Sequence, residues 1–262
     1  MTVAESMRRL RMDGWCVIEG VIPDAEVGKV RQSIVETAKN HGTEGTRSAV
    51  RGLITYDQSM APHLTDSKVI GVVEAVFGPH VRASMTTAVV TTSGEERGTW
   101  HSDWPFGQTQ RRHFPAPYPD NPAHLTTIWM LTPFTREGGG TLLVPGSHRS
   151  PNNPSADMGV DASAPYPTEV QATGPAGSVL MFDSRLWHSS AANTSRETRV
   201  AVVVRWAPWW LNVNPLVPGT ADYEALAEET GERPDDVQLI SPQMYRSLPD
   251  AAKPLFRHLV AP

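Results

Sequence analysis

One cysteine, Cys16, is all that 262 residues contain. An internal disulfide is therefore excluded, and so is a zinc cage built from several thiolates. No apolar run approaches the roughly 18 residues that a membrane helix needs. The opening "MTVAESMRRLRMDGW" lacks an apolar core of signal-peptide length. An excess of positive charge is missing too. Lys and Arg number 23 against 28 Asp and Glu, a formal net charge of −5, which does not supply the basic face that nucleic acid favours. The short pairs Arg8-Arg9 and Arg111-Arg112 read as solvated surface. The expectation is a protein of the reducing cytoplasm with no nucleic-acid and no membrane partner. Its oligomeric state is not legible.

What is present suits a globular chain, with 39% hydrophobic residues. Early segments have helical spacing. "AESMRRLRMDG" stops at a glycine, and "IPDAEVGKVRQSIVETAKNHG" places Val27, Val30, Ile34 and Val35 on one stripe behind a possible cap, Asp24. "DSKVIGVVEAVFG" repeats the pattern with Asp66 as cap and Gly78 as stop. Then the texture changes. "VRASMTTAVVTT", "LTTIWMLTPF", "GTLLVPGSH", "GSVLMFD" and "TRVAVVVRWAPWW" are short β-type runs, punctuated as in a barrel or sandwich. The polar, proline-rich stretches 104–124 and 150–167 are long enough to act as lids. We read one domain over 1–262: helical support to about residue 80, a barrel core over about 81–210, and a wrapping segment over 211–262.

Chemistry concentrates in "TWHSDWPF". On an extended strand, residues i and i+2 point the same way. His101 and Asp103 would then project together, supplying two-thirds of a facial triad of two histidines and one carboxylate. Composition alone predicts about one His-x-acid pair by chance, and this is the only one in the chain. The pairing therefore needs support from elsewhere. "GSVLMFDSRLWHSSAANTSRETRVAVVVRW" supplies His188 after a β-run, and Arg199 at the start of the next one. A fixed guanidinium can hold the far carboxylate of a dicarboxylate through a bidentate ion pair. A surface pair with Glu197 is the plainer reading of Arg199. His148, in "EGGGTLLVPGSHRS", reads as a locally bonded turn residue rather than a ligand.

The order His101-x-Asp103, "GGGTLLVPGSHR", His188 and Arg199 resembles the phytanoyl-CoA dioxygenase family of iron(II)/2-oxoglutarate oxygenases. "MDGWCVIEGVIPDAEVGKVRQSI" is similar to that family's opening strand and helix, and the likeness covers most of residues 7–210. The resemblance implies a mainly β fold with flanking helices, a double-stranded β-helix (jelly-roll, cupin-like) barrel. It implies Fe(II) held by His101, Asp103 and His188, with 2-oxoglutarate and O2 as co-substrates. Arg199 would pair with the distal carboxylate of 2-oxoglutarate. Ser190 matches a position that assists that carboxylate, and Trp129 matches an aromatic lining the co-substrate pocket. A turn serine and a core tryptophan remain equally open readings of these two.

The activity so implied is oxidation, foremost hydroxylation, of an unactivated C–H bond, with release of succinate and CO2. Related halogenases replace the metal-binding carboxylate with a small residue. The presence of Asp103 therefore favours hydroxylation. The absence of an evident basic cluster for a CoA phosphate points to a small free metabolite as substrate. Trp104, Phe106, Trp206, Trp209 and Trp210 are candidates for an apolar pocket. Arg205, in parity with Arg199, either faces the cavity or pairs with an acid such as Asp183. Two alternatives stay open: a metal-dependent cupin-like enzyme that uses no 2-oxoglutarate, and a non-catalytic binding protein on the same fold.

Overall fold

A computed structural model describes residues 1–104, 119–150, 154, 161–231 and 238–262. The chain opens with helix α1 (Val3–Met12), where Thr2 and Glu5 form a reciprocal capping box. Strand β1 (Trp15–Ile18) leads to α2 (Asp24–His41). Pro23, not Asp24, occupies the cap of α2. Asp24 lies in the first turn, where a negative charge suits the helix dipole. After β2 (Arg47–Arg51), helix α3 (Ser67–Phe77) begins as expected, with the Asp66 side chain accepting from the Lys68 amide. It ends at Gly78, whose φ of 82° disfavours any other residue.

Seven further strands follow: β3 (Arg82–Thr91), β4 (Leu125–Met130), β5 (Thr141–Leu143), β6 (Val170–Gln171), β7 (Val179–Asp183), β8 (His188–Ser190) and β9 (Arg199–Ala207). They build a six-stranded sheet in the order β1-β7-β4-β9-β3-β2 and a three-stranded sheet in the order β6-β5-β8. Every strand pairing in both sheets is antiparallel. The described strands thus form two facing sheets of a jelly roll and do not close into a continuous barrel. Helices α4 (Ala221–Thr230), α5 (Pro242–Ser247) and α6 (Lys253–Phe256) complete the chain. Among the described residues, no helix is long and apolar enough to cross a membrane.

Strand alternation sorts the large sheet into two faces. Leu125 and Trp129 of β4, Val179 and Met181 of β7, and Val200, Val202, Val204 and Trp206 of β9 pack against α1, α2 and α3 through Leu10, Val27, Val30, Ile34, Val69 and Val73. The opposite face turns Met130, Leu180, Phe182 and Ala201 toward Leu143 and Leu186. Because side chains alternate with a period of two, a residue's parity decides whether it joins the helix-backed core or the space between the sheets.

Candidate metal centre

The space between the sheets holds a cavity of about 110 Å³. His101, Asp103, His188, Ser190, Arg199 and Arg205 all line it. His101 and His188 meet through a two-way backbone pairing: the His101 amide donates to the His188 carbonyl at 3.0 Å, and the His188 amide donates to that of His101 at 2.9 Å. This bridge adds residue 101 beside β8. The Asp103 amide donates to the Ser184 carbonyl at 2.8 Å, which anchors the second half of the motif to the end of β7. The carboxylate and the two imidazoles converge, with one ligand atom from each lying within 4.8 Å of the others.

The ring nitrogens are already oriented. His101 Nδ1 stands 3.0 Å from the Thr99 carbonyl, and His188 Nδ1 stands 2.9 Å from that of Leu186. A carbonyl accepts only, so each Nδ1 carries the hydrogen and each Nε2 presents a lone pair. That is how a metal-binding histidine is held in the correct tautomer. Burial, and next the neighbouring His101, pushes the His188 pKa down to about 4. It is therefore neutral, as a ligand must be. Burial works against the charge of Asp103, but Arg205, His188, His101 and the Thr126 hydroxyl outweigh it. The carboxyl sits far below the usual carboxylate range. Two lone-pair nitrogens and one ionised carboxylate fit a divalent ion of the iron type.

Arg199 closes one end of the cavity. Its Nη1 donates to the Gly139 carbonyl, and its Nη2 to Thr91 Oγ1 at 3.2 Å. Its guanidinium carbon lies 5.2 Å from the Phe134 ring centre. These contacts, not Glu197, fix it. Gly139 has a φ of 77°, and a Cβ there would stand 2.8 Å from the Ala191 carbonyl oxygen. The "GGG" run thus lets the backbone come close enough to hold Arg199. Burial, and next Arg47, lowers Arg199 to about 10, which leaves it charged at neutral pH. Ser190 Oγ lines the same cavity and is buried with no hydrogen-bond partner among the described residues.

Several expectations need correction. Trp129 does not line the cavity: it is fully buried on the helix-backed face, one residue out of phase with Thr126 and Ile128, which do line it. Trp206 shares that core, while Trp209 and Trp210 are 57% and 60% exposed. Trp104 is buried and stacks on His124. The apolar wall is made instead by Ile128, Phe134, Phe182 and Val203. Arg205 pairs with Asp103, not Asp183, which holds a bidentate pair with Arg185 at 3.1 and 2.7 Å. His148 is buried in a short turn outside the ligand cluster. Phe106, Arg111, Arg112 and most of the 104–124 stretch lie outside the described residues. Arg47 and Thr126 line the cavity and were not singled out from the sequence. Only the pairing register, which sets Arg47 opposite Thr91 and Thr91 opposite Arg199, brings the first of them to the site.

Two imidazoles and a carboxylate between the sheets of a jelly roll are the ligand types that non-haem iron oxygenases use. The sequence agrees: residues 10–201 match the family model of phytanoyl-CoA dioxygenase (PhyH). The chain belongs to that family, and it is an Fe(II)- and 2-oxoglutarate-dependent dioxygenase. It is 24% identical over 252 residues to "Dioxygenase af480" of Aspergillus fumigatus, covering 88% of this chain and 74% of that protein. It is also 24% identical over 231 residues to L-proline trans-4-hydroxylase of Streptomyces griseoviridis, covering 76% of this chain and 84% of that protein. The crystal structure of HygX from Streptomyces hygroscopicus with nickel, 2-oxoglutarate and hygromycin B shares the fold. Its TM-score is 0.64 at 16% identity, over 79% of this chain and 88% of that one.

Proposed function

We propose that this chain is a hydroxylase of a small free metabolite, with one catalytic domain over 1–262. His101, Asp103 and His188 hold Fe(II), Arg199 binds the distal carboxylate of 2-oxoglutarate, and Ser190 assists it. The observation that carries this reading is the convergence of three ligand atoms within 4.8 Å in the cavity that Arg199 closes. When bound there, Fe(II) supplies the chemistry that couples decarboxylation of 2-oxoglutarate, to succinate and CO2, to oxidation of a substrate C–H bond. The protein's part is geometric. The Nδ1 hydrogen bonds aim two lone pairs, Arg199 fixes the far end of the co-substrate, and the apolar wall of Ile128, Phe134 and Phe182 presents the substrate and excludes water. Retention of Asp103 supports hydroxylation over halogenation, and the relative named as a hydroxylase agrees. The single cysteine, buried and pushed up to about 11 by that burial, suits a reducing cytoplasm.

The test is anaerobic addition of Fe(II) and then 2-oxoglutarate, followed by visible absorption. A weak charge-transfer band that is lost in His188→Ala supports the reading. Iron binding without a band favours a cupin-like enzyme that uses no 2-oxoglutarate. Absence of iron binding leaves a binding protein on the same fold. Succinate release across a panel of small metabolites, monitored together with oxidised product, then identifies the substrate.

A further inference from the structure

Behind Asp103 runs a chain of buried polar groups that the reaction itself does not use. Thr126 Oγ1 lies 2.8 Å from Asp103 Oδ2 and 2.8 Å from Ser184 Oγ. Ser184 Oγ lies 2.9 Å from His124 Nδ1, and His124 Nε2 lies 2.9 Å from Ser84 Oγ. Ser84 Oγ is also 3.1 Å from the Arg205 carbonyl. Ser84 sits where the pairing of β3 with β9 slips between Ala83 and Met85, a bulge of the kind that re-aims a side chain beside a site. Thr126 is 1% exposed, and Ser84, His124 and Ser184 are 0% exposed. Trp104 stacks over the His124 ring at 5.7 Å. An arrangement so far from water must satisfy its own hydrogen bonds.

Counting hydrogens gives the chain a direction. Ionised Asp103 only accepts, so the single hydroxyl hydrogen of Thr126 goes to it. The hydrogen between Ser184 and Thr126 must then come from Ser184. With that hydrogen committed, the one between His124 and Ser184 must sit on Nδ1. In the other neutral tautomer two hydroxyl hydrogens must serve these three contacts, so one pair of acceptors only 2.8 or 2.9 Å apart is left facing bare. A doubly protonated His124 would also serve, but burial, and next Arg205, pushes its pKa down to about 3. Neutral His124 then takes the Ser84 hydrogen on Nε2, and the contact left without a hydrogen is the longest of the five, the 3.1 Å approach of Ser84 Oγ to the Arg205 carbonyl.

We infer that His124 is a positioning residue: as its Nδ1–H tautomer it heads a one-way relay through Ser184 and Thr126 that ends on Asp103 Oδ2 and fixes the carboxylate for the metal. The inference rests on Asp103 being a ligand. Groups that orient ligands from behind typically account for about tenfold to a hundredfold in metal affinity. Asn at position 124 sets its amide nitrogen where Nδ1 stands, and Gln sets it near Nε2. A relay distinguishes the two, whereas a merely space-filling role does not.

Long-range proton–nitrogen NMR of the full chain, with and without Zn(II), reads the tautomer. Cobalt(II) titration by visible absorption reads affinity. We expect the hydrogen on His124 Nδ1. We also expect about a tenfold to a hundredfold weaker cobalt Kd in Thr126→Val, a near-native Kd in Thr126→Ser, and a smaller loss in His124→Asn than in His124→Gln. Thermal unfolding of each variant identifies any that fails to fold. A hydrogen on Nε2 alone, or native cobalt affinity in folded Thr126→Val, would overturn the relay. A wild-type chain that binds no cobalt would overturn the metal reading instead, while the tautomer, read without metal, would still decide the relay's direction.

Discussion

Arg205 Nη2 stands 2.5 Å from Asp103 Oδ1, with both side chains nearly buried. Arg205 is six positions along β9 from Arg199, and the two share parity, so one strand face carries both cations into the cavity. One guanidinium faces the end assigned to the co-substrate. The other is matched to a ligand of the metal. Asp103 must stay ionised inside a protein that disfavours its charge, and Arg205 is the largest influence that keeps it so.

Replacing Arg205 with Met should therefore leave a buried carboxylate without its counter-ion. Breaking a buried pair in this way costs about 3–5 kcal/mol. The metal-free variant should unfold at clearly lower urea concentration than the wild type. A divalent ion, which binds only the folded chain and neutralises Asp103, should restore part of the loss. Urea unfolding with and without Mn(II) checks both. Equal stability of the two metal-free proteins would mean that the pair is not significant.

Acid should weaken the fold through two buried histidines and one half-buried one. His188 and His258 are each pushed down to about 4, and His124 to about 3, in every case chiefly by burial. The unfolded chain has an ordinary histidine pKa of about 6.5. Between these values the unfolded state binds more protons, so stability falls as pH falls. The contribution is fully present above about pH 6.5 and is lost progressively as pH drops toward about 4. Asp103, held below the usual carboxylate range, adds a loss at still lower pH. Urea midpoints measured from pH 8 to pH 5 should decline, and His258→Phe, outside the cavity, should flatten the decline. A flat wild-type profile would contradict the burial of these rings.

Arg199→Met should raise the 2-oxoglutarate KM by about tenfold to a hundredfold, the worth of one charged hydrogen-bonded contact of about 1.5–3 kcal/mol. Arg199→Lys should not rescue it, because an ammonium cannot hold the Gly139 carbonyl and Thr91 together while offering a planar fork. Initial rates of succinate release against 2-oxoglutarate concentration measure this. Unchanged KM in Arg199→Met would mean that this guanidinium does not hold the co-substrate.

Much of the site was legible because its residues are local in sequence or come in a recognisable order. His101 and Asp103 are two apart, and His188 and Arg199 begin consecutive strands. Strand texture likewise located β3, β4, β7 and β9. What could not be read was parity and pairing. Arg47 reaches the cavity only because β2 pairs with β3 and β3 with β9. The partner of Arg205 depended on where the loop after residue 101 returns, since Asp103 is anchored by the Ser184 carbonyl. The relay through His124 depends on a bulge at Ser84, and nothing in a run of β-branched residues announces one residue too many.

Trp129 shows the cost of missing parity, and it yields the sharpest separation of fold from function. Its indole N–H donates to Thr127 Oγ1 at 3.1 Å, and that of Trp206 donates to the same oxygen at 2.9 Å. Thr127 in turn donates to the Val204 carbonyl at 3.0 Å. One hydroxyl of β4 thus ties Trp129 to Trp206 and the Val204 carbonyl of β9 within the helix-backed core. Trp129→Ala should cost about 3–5 kcal/mol, the usual loss for a buried aromatic. Trp129→Phe should cost less, because it keeps most of the volume and removes one donor from a hydroxyl that retains another. Neither contact faces the cavity. The Phe variant, if folded, should therefore bind 2-oxoglutarate with native affinity, as judged by the charge-transfer band in an anaerobic titration. A raised Kd in a Trp129→Phe protein of native stability would return this residue to the co-substrate pocket.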